Sequence, residues 1–445
     1  MARNRRLGGT AALWLWLPVP VFFAAAWVMA AALPGAGVFG GAVTAAVLTL
    51  AWCLSLWALG RLRRPWLLAV GAAGAALLLL RLHFFPVETS DYTDFLQPWT
   101  EWLRAGGGLA ALGREQGNYN VPYLVFLALF SYLDCAPLYP IKLLSVVCDL
   151  VLAAALGRLI LRVSGSGVRA ALGYGLALAL PTVFINGAVW GQCDSVYVCL
   201  AVLSLCLCLE GKPLLSMAAI ALSFAFKLQA VFLMPVFLLL LFSGKLKWFH
   251  LPVFPAVYVL AVLPAVLAGR SLWDTLTFYV RSASTVGDAL CYNAPSLFSL
   301  RYFYRADLPD WAGKAGILAA FLLCLAVFAL FWFRRRRITD RALVYAALLL
   351  SCGLPLLLPH MHDRYFYLCD VLTLAAALIS PPAAPLALFS QFGSLLGYYA
   401  YFTRRFLLPM RYGFWPLALT AAAAALLSVR ALALPPVKNG KDGSP

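Results

Sequence analysis

Apolar runs of about 20 residues, broken by short polar stretches, recur along nearly the whole 445-residue chain. A run of that length crosses the hydrocarbon core of a bilayer as one helix. The pattern places fourteen spans, at 11–32, 38–60, 65–82, 140–161, 170–186, 195–210, 213–226, 229–242, 250–268, 312–333, 341–358, 366–380, 384–402 and 413–433. Several middle spans are short, so the expected count is 12–14. The fold class is all-α: a polytopic integral membrane protein whose long external loops carry interfacial or re-entrant helices. No linker-rich segment divides the chain, so 1–445 is read as a single transmembrane domain. Residues 83–139 form a first external loop, 269–311 a second, and 438–445 a short cytoplasmic tail.

Composition sharpens this picture. Hydrophobic residues make up 64% of the chain and charged residues 11%, against about 25% charged in soluble domains. A net charge of +17 would indicate nucleic acid if it formed one patch. Here it is dispersed in clusters between spans, so no nucleic-acid partner is expected. Arg3-Arg5-Arg6, Arg61-Arg63-Arg64, Arg158-Arg162-Arg169, Lys245-Lys247, the arginines at 334–337 and Lys438-Lys441 all fall on one face of the fourteen-span map. By the positive-inside rule that face is cytoplasmic, and both termini lie on it. Arg404, Arg405 and Arg411 run against the map locally. The first span has a second reading as a signal peptide, since arginines precede it and small residues near Ala31 resemble a cleavage site.

The acids take the other side. Of the 17 Asp and Glu, only Glu210, Asp340 and Asp442 fall on the cytoplasmic face, while Asp149 and Asp370 sit inside spans. The eleven cysteines are mostly spaced along helices like small apolar residues. Cys193 and Cys291 are both placed externally, which leaves a pairing open. No Cys-x-x-Cys or His-x-x-x-His pattern occurs, and structural zinc is not expected.

The external segments carry the candidate chemistry. At roughly 100° per residue, Phe95, Leu96, Trp99, Trp102 and Leu103 share one arc of a helix starting near Ser90, with Asp94, Gln97, Glu101 and Arg104 opposite. That division predicts a helix lying in the head-group layer, with Ser90 as N-cap and Gly106-Gly107-Gly108 at its end. Asp91 falls at the border of the apolar arc, where partial desolvation makes a carboxylate a better proton acceptor. Asp94 turns farther toward water. For both acids the plainer reading is attraction to the positive end of the helix dipole. Next, Asn118-Tyr119-Asn120-Val121-Pro122-Tyr123 opens an apolar run that is too short to span comfortably, and a re-entrant or surface helix is expected. Tyr119 and Tyr123 either touch a sugar or anchor the interface.

In the island at 186–195, Trp190 lies beside Gln192 and Asp194. The trio suits a sugar platform, and equally a capped helix start. Lys227 and Gln229 interrupt an apolar stretch. A lysine at that depth either meets an anion such as a lipid phosphate or snorkels. The second loop carries Trp273, Asp274, Arg281, Asp288, the run Tyr292-Asn293-Ala294-Pro295-Ser296, and Arg301, and is long enough to cover a groove. Finally, His360-Met361-His362-Asp363-Arg364-Tyr365 gathers two imidazoles and an arginine at the mouth of a span. Arg364 can give a phosphate two parallel hydrogen bonds. His-x-His also suits a metal, though no third ligand is near in sequence, and the tyrosines suit an interface anchor.

Together these groups fit transfer of a sugar from a lipid-linked phosphate to a hydroxyl. A carboxylate takes the hydroxyl proton, and cationic groups stabilise charge on the departing phosphate. One carboxylate with direct attack implies inversion. No GxGxxG or Walker motif follows a strand, which disfavours a nucleotide-sugar donor. Two rivals stand beside this reading: a transporter or flippase for a lipid-linked sugar or other anion, favoured by Asp149 and Asp370, and a cell-envelope scaffold, which leaves the convergence of polar groups unexplained.

Six segments, in order, carry a resemblance: Ser90-Asp91-Tyr92 with Phe95 and Pro98-Trp99; Gly106-Gly107 to Asn118-Tyr119-Asn120; Trp190-Gly191-Gln192-Cys193-Asp194; Phe226-Lys227-Leu228-Gln229-Ala230; Asn293-Ala294-Pro295-Ser296; and the histidine segment at 360–365. Over about residues 83–370 the chain resembles the polytopic GT-C glycosyltransferases, most closely the bacterial proteins related to the GPI mannosyltransferase that adds the second mannose. The resemblance implies a hexosyltransferase using a polyprenyl-phosphate sugar, with mannose or glucose the usual candidates, and an acceptor hydroxyl on a glycan, lipid or protein. No cofactor is implied, and a divalent metal is left open. It implies an extracytoplasmic active site in a multi-pass protein of the cell membrane, with the catalytic carboxylate in the first large loop, on Asp91. Asp94 remains the other candidate, because Thr93 stands where eukaryotic members complete Asp-x-Glu. His360, His362 and Arg364 resemble the donor-phosphate site, to which Lys227 is added. Trp190, Gln192, Asp194, Tyr119 and Asn293 are the expected sugar or acceptor contacts. The whole reading requires Asp91 and Arg364 to open into one external vestibule.

Overall fold

Helices dominate the chain, as they must where no water reaches the backbone: each N–H and C=O in hydrocarbon has to be satisfied within its own segment. The computed structural model describes residues 18–60, 62–282, 287, 289–300, 309 and 311–433. The basic clusters at 3–6 and 438–441, residues 11–17 of the first expected span, Arg61, Asp288, Arg301 and the 438–445 tail lie outside the described residues.

All fourteen expected spans land on helices, which bears out an all-α polytopic membrane protein. Seven are long and apolar enough to cross a membrane: Gly37–Ala58, Arg64–His83, Leu138–Ser164, Trp248–Leu267, Trp311–Phe333, Asp340–Leu357 and Arg411–Ala433. Gly167–Ala179 and Pro181–Trp190, bent by 49°, make an eighth if counted as one broken span. The remaining expected spans fall on Pro18–Ala31, Asp194–Leu209, Pro213–Phe226, Leu228–Phe242 and Tyr367–Ile379, and on Ala384–Thr403. By length and composition, then, the described residues supply seven or eight full spans where hydropathy alone counted 12–14. The difference is one of length: several of the expected spans fall on apolar helices of 10–17 residues. Pro181, Pro213 and Pro235 each sit in the first turn of a new helix, where the missing N–H costs nothing.

Contacts group the chain into two compact units, the first within 1–161, 165–202 and 260–277, the second within 162–164, 203–259 and 278–445. In the first unit, the fully buried Arg81 and Asp149 form an ion pair at 3.4 Å. Arg81 also donates to the Leu178 carbonyl at 2.6 Å, and its guanidinium lies 4.8 Å from the centroid of the Phe184 ring. One guanidinium thus joins three helical segments. Gly187 makes room for the carboxylate, since a Cβ there would sit 2.7 Å from Asp149 Oδ2.

In the second unit, Arg162 and Lys245 both bind Asp340, at 3.0 and 2.8 Å. The sequence reading puts these three on one face, and they meet as one cluster. At other points glycine permits close packing: a Cβ on Gly397 would lie 2.7 Å from the Asn293 carbonyl oxygen and 3.0 Å from Asp363 Cβ. Two short parallel strands, β1 (Cys291–Tyr292) and β2 (Met361–His362), pair in the same region.

Removing one member of a buried ion pair strands the other and costs about 3–5 kcal/mol. Arg81→Met and Asp149→Leu should each lower the thermal midpoint of the purified protein sharply. The double variant should recover most of the loss. Scanning fluorimetry in detergent measures all three.

Candidate active site

The first-loop helix begins at Ser90. The Thr89 carbonyl accepts the N–H groups of Tyr92 and Thr93, at 2.9 and 3.0 Å, so Thr89 rather than Ser90 occupies the N-cap position. Gly106 closes the helix, as expected. Between them, Tyr92–Leu96 is a wider π turn in which the Gln97 N–H reaches the Tyr92 carbonyl, five residues back. A π turn shifts the faces that a 3.6-residue wheel assigns. Tyr92, Leu96, Trp99 and Leu103 are buried, whereas Phe95 is 47% exposed. The interfacial reading is corrected accordingly: Trp99 and Leu103 pack inside the first unit, where helix Gln97–Ala105 meets Val121–Phe130, and not in head groups.

The π turn aims Asp91 inward. Its Oδ2 accepts the Trp190 indole N–H at 3.0 Å and a further hydrogen bond from Gln192 Nε2. Trp190 closes a second π turn, Ile185–Trp190, and Gln192 follows just after it. The turn ends at Gly191, whose φ of +75° suits glycine and whose N–H returns to the Asn186 carbonyl. The Gln192 N–H reaches the same carbonyl at 3.0 Å, and the Gln192 carbonyl accepts from Ser145 Oγ at 2.7 Å. Tyr119 donates its hydroxyl to Gln192 Oε1 at 3.1 Å. That bond fixes the amide the right way round, leaving Nε2 to point at Asp91.

Tyr119 is held in turn by aromatic neighbours. Trp99 lies edge-on at 5.6 Å, Tyr123 at 4.8 Å, and Phe95 sits 5.9 Å beyond Trp99. Gly117 is required there, with φ of +71° and only 2.5 Å between a hypothetical Cβ and the Trp99 ring. Lys142 ties the parts together, donating to the Phe84 and Val87 carbonyls at 2.9 and 2.5 Å. Its Cγ would touch a Cβ on Gly191 at 3.3 Å.

Of the other sequence candidates in this unit, Asp194 is fully buried and accepts from Asn186 Nδ2 at 2.9 Å. Asp94 is exposed, with Thr93 Oγ1 at 3.2 Å. The structure thus gathers Asp91, Trp190, Gln192 and Tyr119 in one hydrogen-bonded chain. Asn186, Ser145 and Lys142, which sequence reasoning did not assign to the site, support it. Their polar character inside apolar runs was the available signal.

The second unit holds the remaining candidates. The β1–β2 ladder sets Tyr292 beside His362, and their rings stack at 4.6 Å with planes 9° apart. Asn293, at φ 55°, bridges to His362. Tyr365 lies 5.1 Å from the same imidazole. His360 adopts φ 61°, a left-handed conformation uncommon for histidine. Its N–H donates to the Leu290 carbonyl at 2.8 Å, and its Nδ1–H to the Ala289 carbonyl at 2.7 Å. Asp363 is buried, 3.5 Å from Arg364 Nη1. Lys227 is buried as well, in an extended kink (φ −153°, ψ 133°) that stops helix Pro213–Phe226.

Burial, reinforced by the positive charges of Arg364 and Lys227 and by His360, pushes the His362 imidazole down to about 3. It is neutral at physiological pH. Positive charge in this region therefore comes from Arg364 and Lys227 and not from His362. The pairing left open for Cys193 and Cys291 does not form: both are free, buried thiols. Cys291 Sγ donates to the Ala294 carbonyl at 2.9 Å, and burial pushes this thiol up to about 11. Among the described residues, no three His, Cys, Asp or Glu side chains converge as metal ligands.

No curated protein matches the chain. A family model does, that of glycosyltransferase family 87, over residues 118–359. The match takes in Tyr119, the Trp190–Gln192 turn, Lys227 and Asn293, begins after Asp91 and stops one residue before His360. Because it spans more than half of the 445 residues, this membrane-embedded chain belongs to glycosyltransferase family 87.

Proposed function

We propose that the chain is an inverting hexosyltransferase of the GT-C kind, related to the GPI mannosyltransferase that adds the second mannose. It takes mannose or glucose from a polyprenyl phosphate and works on the extracytoplasmic face of the cell membrane. The observation that carries this reading is the Asp91 carboxylate, oriented by Trp190 and Gln192. Two N–H donors on one carboxylate oxygen fix its direction, and a fixed base within reach of a hydroxyl is what general-base catalysis needs.

In the reaction, Asp91 accepts the proton of the acceptor hydroxyl as that oxygen attacks the anomeric carbon. The bond from that carbon to the phosphate oxygen breaks, and the polyprenyl phosphate leaves with the electron pair. Arg364 and Lys227 receive the charge that grows on it, while His362 supplies a neutral contact and His360 lies in the same segment. Tyr119 and Asn293 meet the sugar or the acceptor. Trp190, Gln192 and Asp194 act from within the fold by ordering the turn that holds Asp91. The rival transporter reading drew on Asp149 and Asp370. Asp149 is engaged by Arg81, and Asp370 accepts from Ser390 and Ser394.

Purified protein with radiolabelled polyprenyl-phosphate mannose or glucose and an acceptor glycolipid extract tests the assignment. Asp91→Asn should lower kcat by about 10² to 10⁴-fold while donor binding persists. Undiminished transfer would remove the base from Asp91 and direct the same test to Asp94. Arg364→Ala should instead weaken donor binding, raising KM by about tenfold or more.

Acid stability offers a separate check. His362 stays neutral in the fold down to about pH 3, whereas an unfolded histidine takes up a proton near 6.5. Its contribution is therefore present above pH 6.5 and lost as pH falls from there toward 3. His362→Asn should flatten the fall of the thermal midpoint between pH 6.5 and 4. An unchanged slope would mean that His362 is not held neutral.

A further inference from the structure

Helix Trp311–Phe333 ends in four consecutive arginines, 334–337, of which the last three form a tight turn. Among the described residues none of the four has a carboxylate partner. The nearby acid, Asp340, is occupied by Arg162 and Lys245. The turn is pinned on both sides. Arg335 lies over the Trp332 ring at 4.5 Å and donates to the Trp332 carbonyl at 3.2 Å, and Thr339 caps the following helix Asp340–Leu357. Phe333 and the four arginines line an open cleft of about 410 Å³.

A topogenic role explains the charge but not this shape. Below the cleft, the same helix presents Leu318, Phe321, Leu322, Leu325 and Trp332 as exposed apolar residues, at the three- and four-residue spacing of one face. The cationic cleft and the apolar stripe are continuous along one helix, the first at the head-group end of the span and the second facing hydrocarbon.

We infer that this is a binding site for an anionic phospholipid: guanidinium groups of 334–337 hold the headgroup phosphate, and the acyl chains lie along the stripe. Guanidinium forks match phosphate oxygens in pairs, and basic residues at a span's end attract acidic lipids. The site is separate from the proposed transfer chemistry and does not depend on it.

Purified full-length protein in detergent can be titrated with phosphatidylglycerol, phosphatidylcholine or inorganic phosphate, reading retained adducts by native mass spectrometry. Phosphatidylglycerol should be retained at least about tenfold more than phosphatidylcholine, and phosphate alone should not compete at millimolar concentration. Replacing all four arginines with glutamine should cut retention about fivefold or more. Lysine at all four positions keeps the charge for insertion, and should still lose about threefold because the forks are gone. Equal retention of the two lipids, a quadruple-lysine variant that binds as well as the parent, or displacement by free phosphate would each overturn the inference.

Discussion

The hydrogen bonds that Trp190 and Gln192 give to Asp91 join distant segments of the first unit at its candidate site. They tie two π turns, Tyr92–Leu96 and Ile185–Trp190, that are about a hundred positions apart in the chain. A π turn is poorer helix than an α turn and tends to survive where a particular side-chain direction is worth having. Lys142 supports both, clamping the carbonyls that lead into the first turn while its stem packs against the glycine that ends the second. Replacing any one of these groups would leave a polar partner buried without compensation. The motif is therefore ordered as a whole.

The second unit gathers Arg364 and Lys227 near His362 without burying a charged histidine. Burial, with the positive charges of Arg364 and Lys227, makes protonation of His362 unfavourable, so the neutral imidazole stacks on Tyr292 without adding to their repulsion. The β1–β2 ladder holds this arrangement, and it forms only because Gly397 lets the Asn293 and Asp363 backbones approach a helix closely.

Much of this was legible in the sequence. Apolar run length located every helix that crosses or approaches the membrane, and polar residues inside apolar context pointed to the segments around Asp91, Trp190, Lys227 and His362. What was not legible is instructive. A helical wheel grouped Leu96, Trp99 and Leu103 on one arc, but could not say that this arc packs against Val121–Phe130 and not against lipid. Hydropathy counted 12–14 spans, while length and composition give seven or eight full ones among the described residues, because helices such as Pro213–Phe226 are apolar but short. Trp190 and Gln192 stood out as polar and aromatic, but a one-dimensional pattern cannot say that they face a carboxylate from another loop. The neutrality of His362 depended on neighbours that only folding supplies.

The intramembrane acids separate scaffold from chemistry. A carboxylate at that depth is tolerated only where something compensates it, and both have compensation of a structural kind. Asp149 is matched by a guanidinium that also bonds a helix carbonyl and stacks on Phe184. Asp370 draws hydroxyls from Ser390 and Ser394, one turn apart on helix Ala384–Thr403. A transport pathway needs acids that exchange partners as ions or protons pass. Here Arg81 holds Asp149 and the serines of one neighbouring helix hold Asp370, which makes each exchange costly and each helix position better defined. Asp91 differs from both in setting: it lies outside the expected spans and is only partly buried, with its carboxylate oriented by the Trp190 and Gln192 N–H groups. Donors of this kind orient a carboxylate without cancelling its charge, as a general base requires.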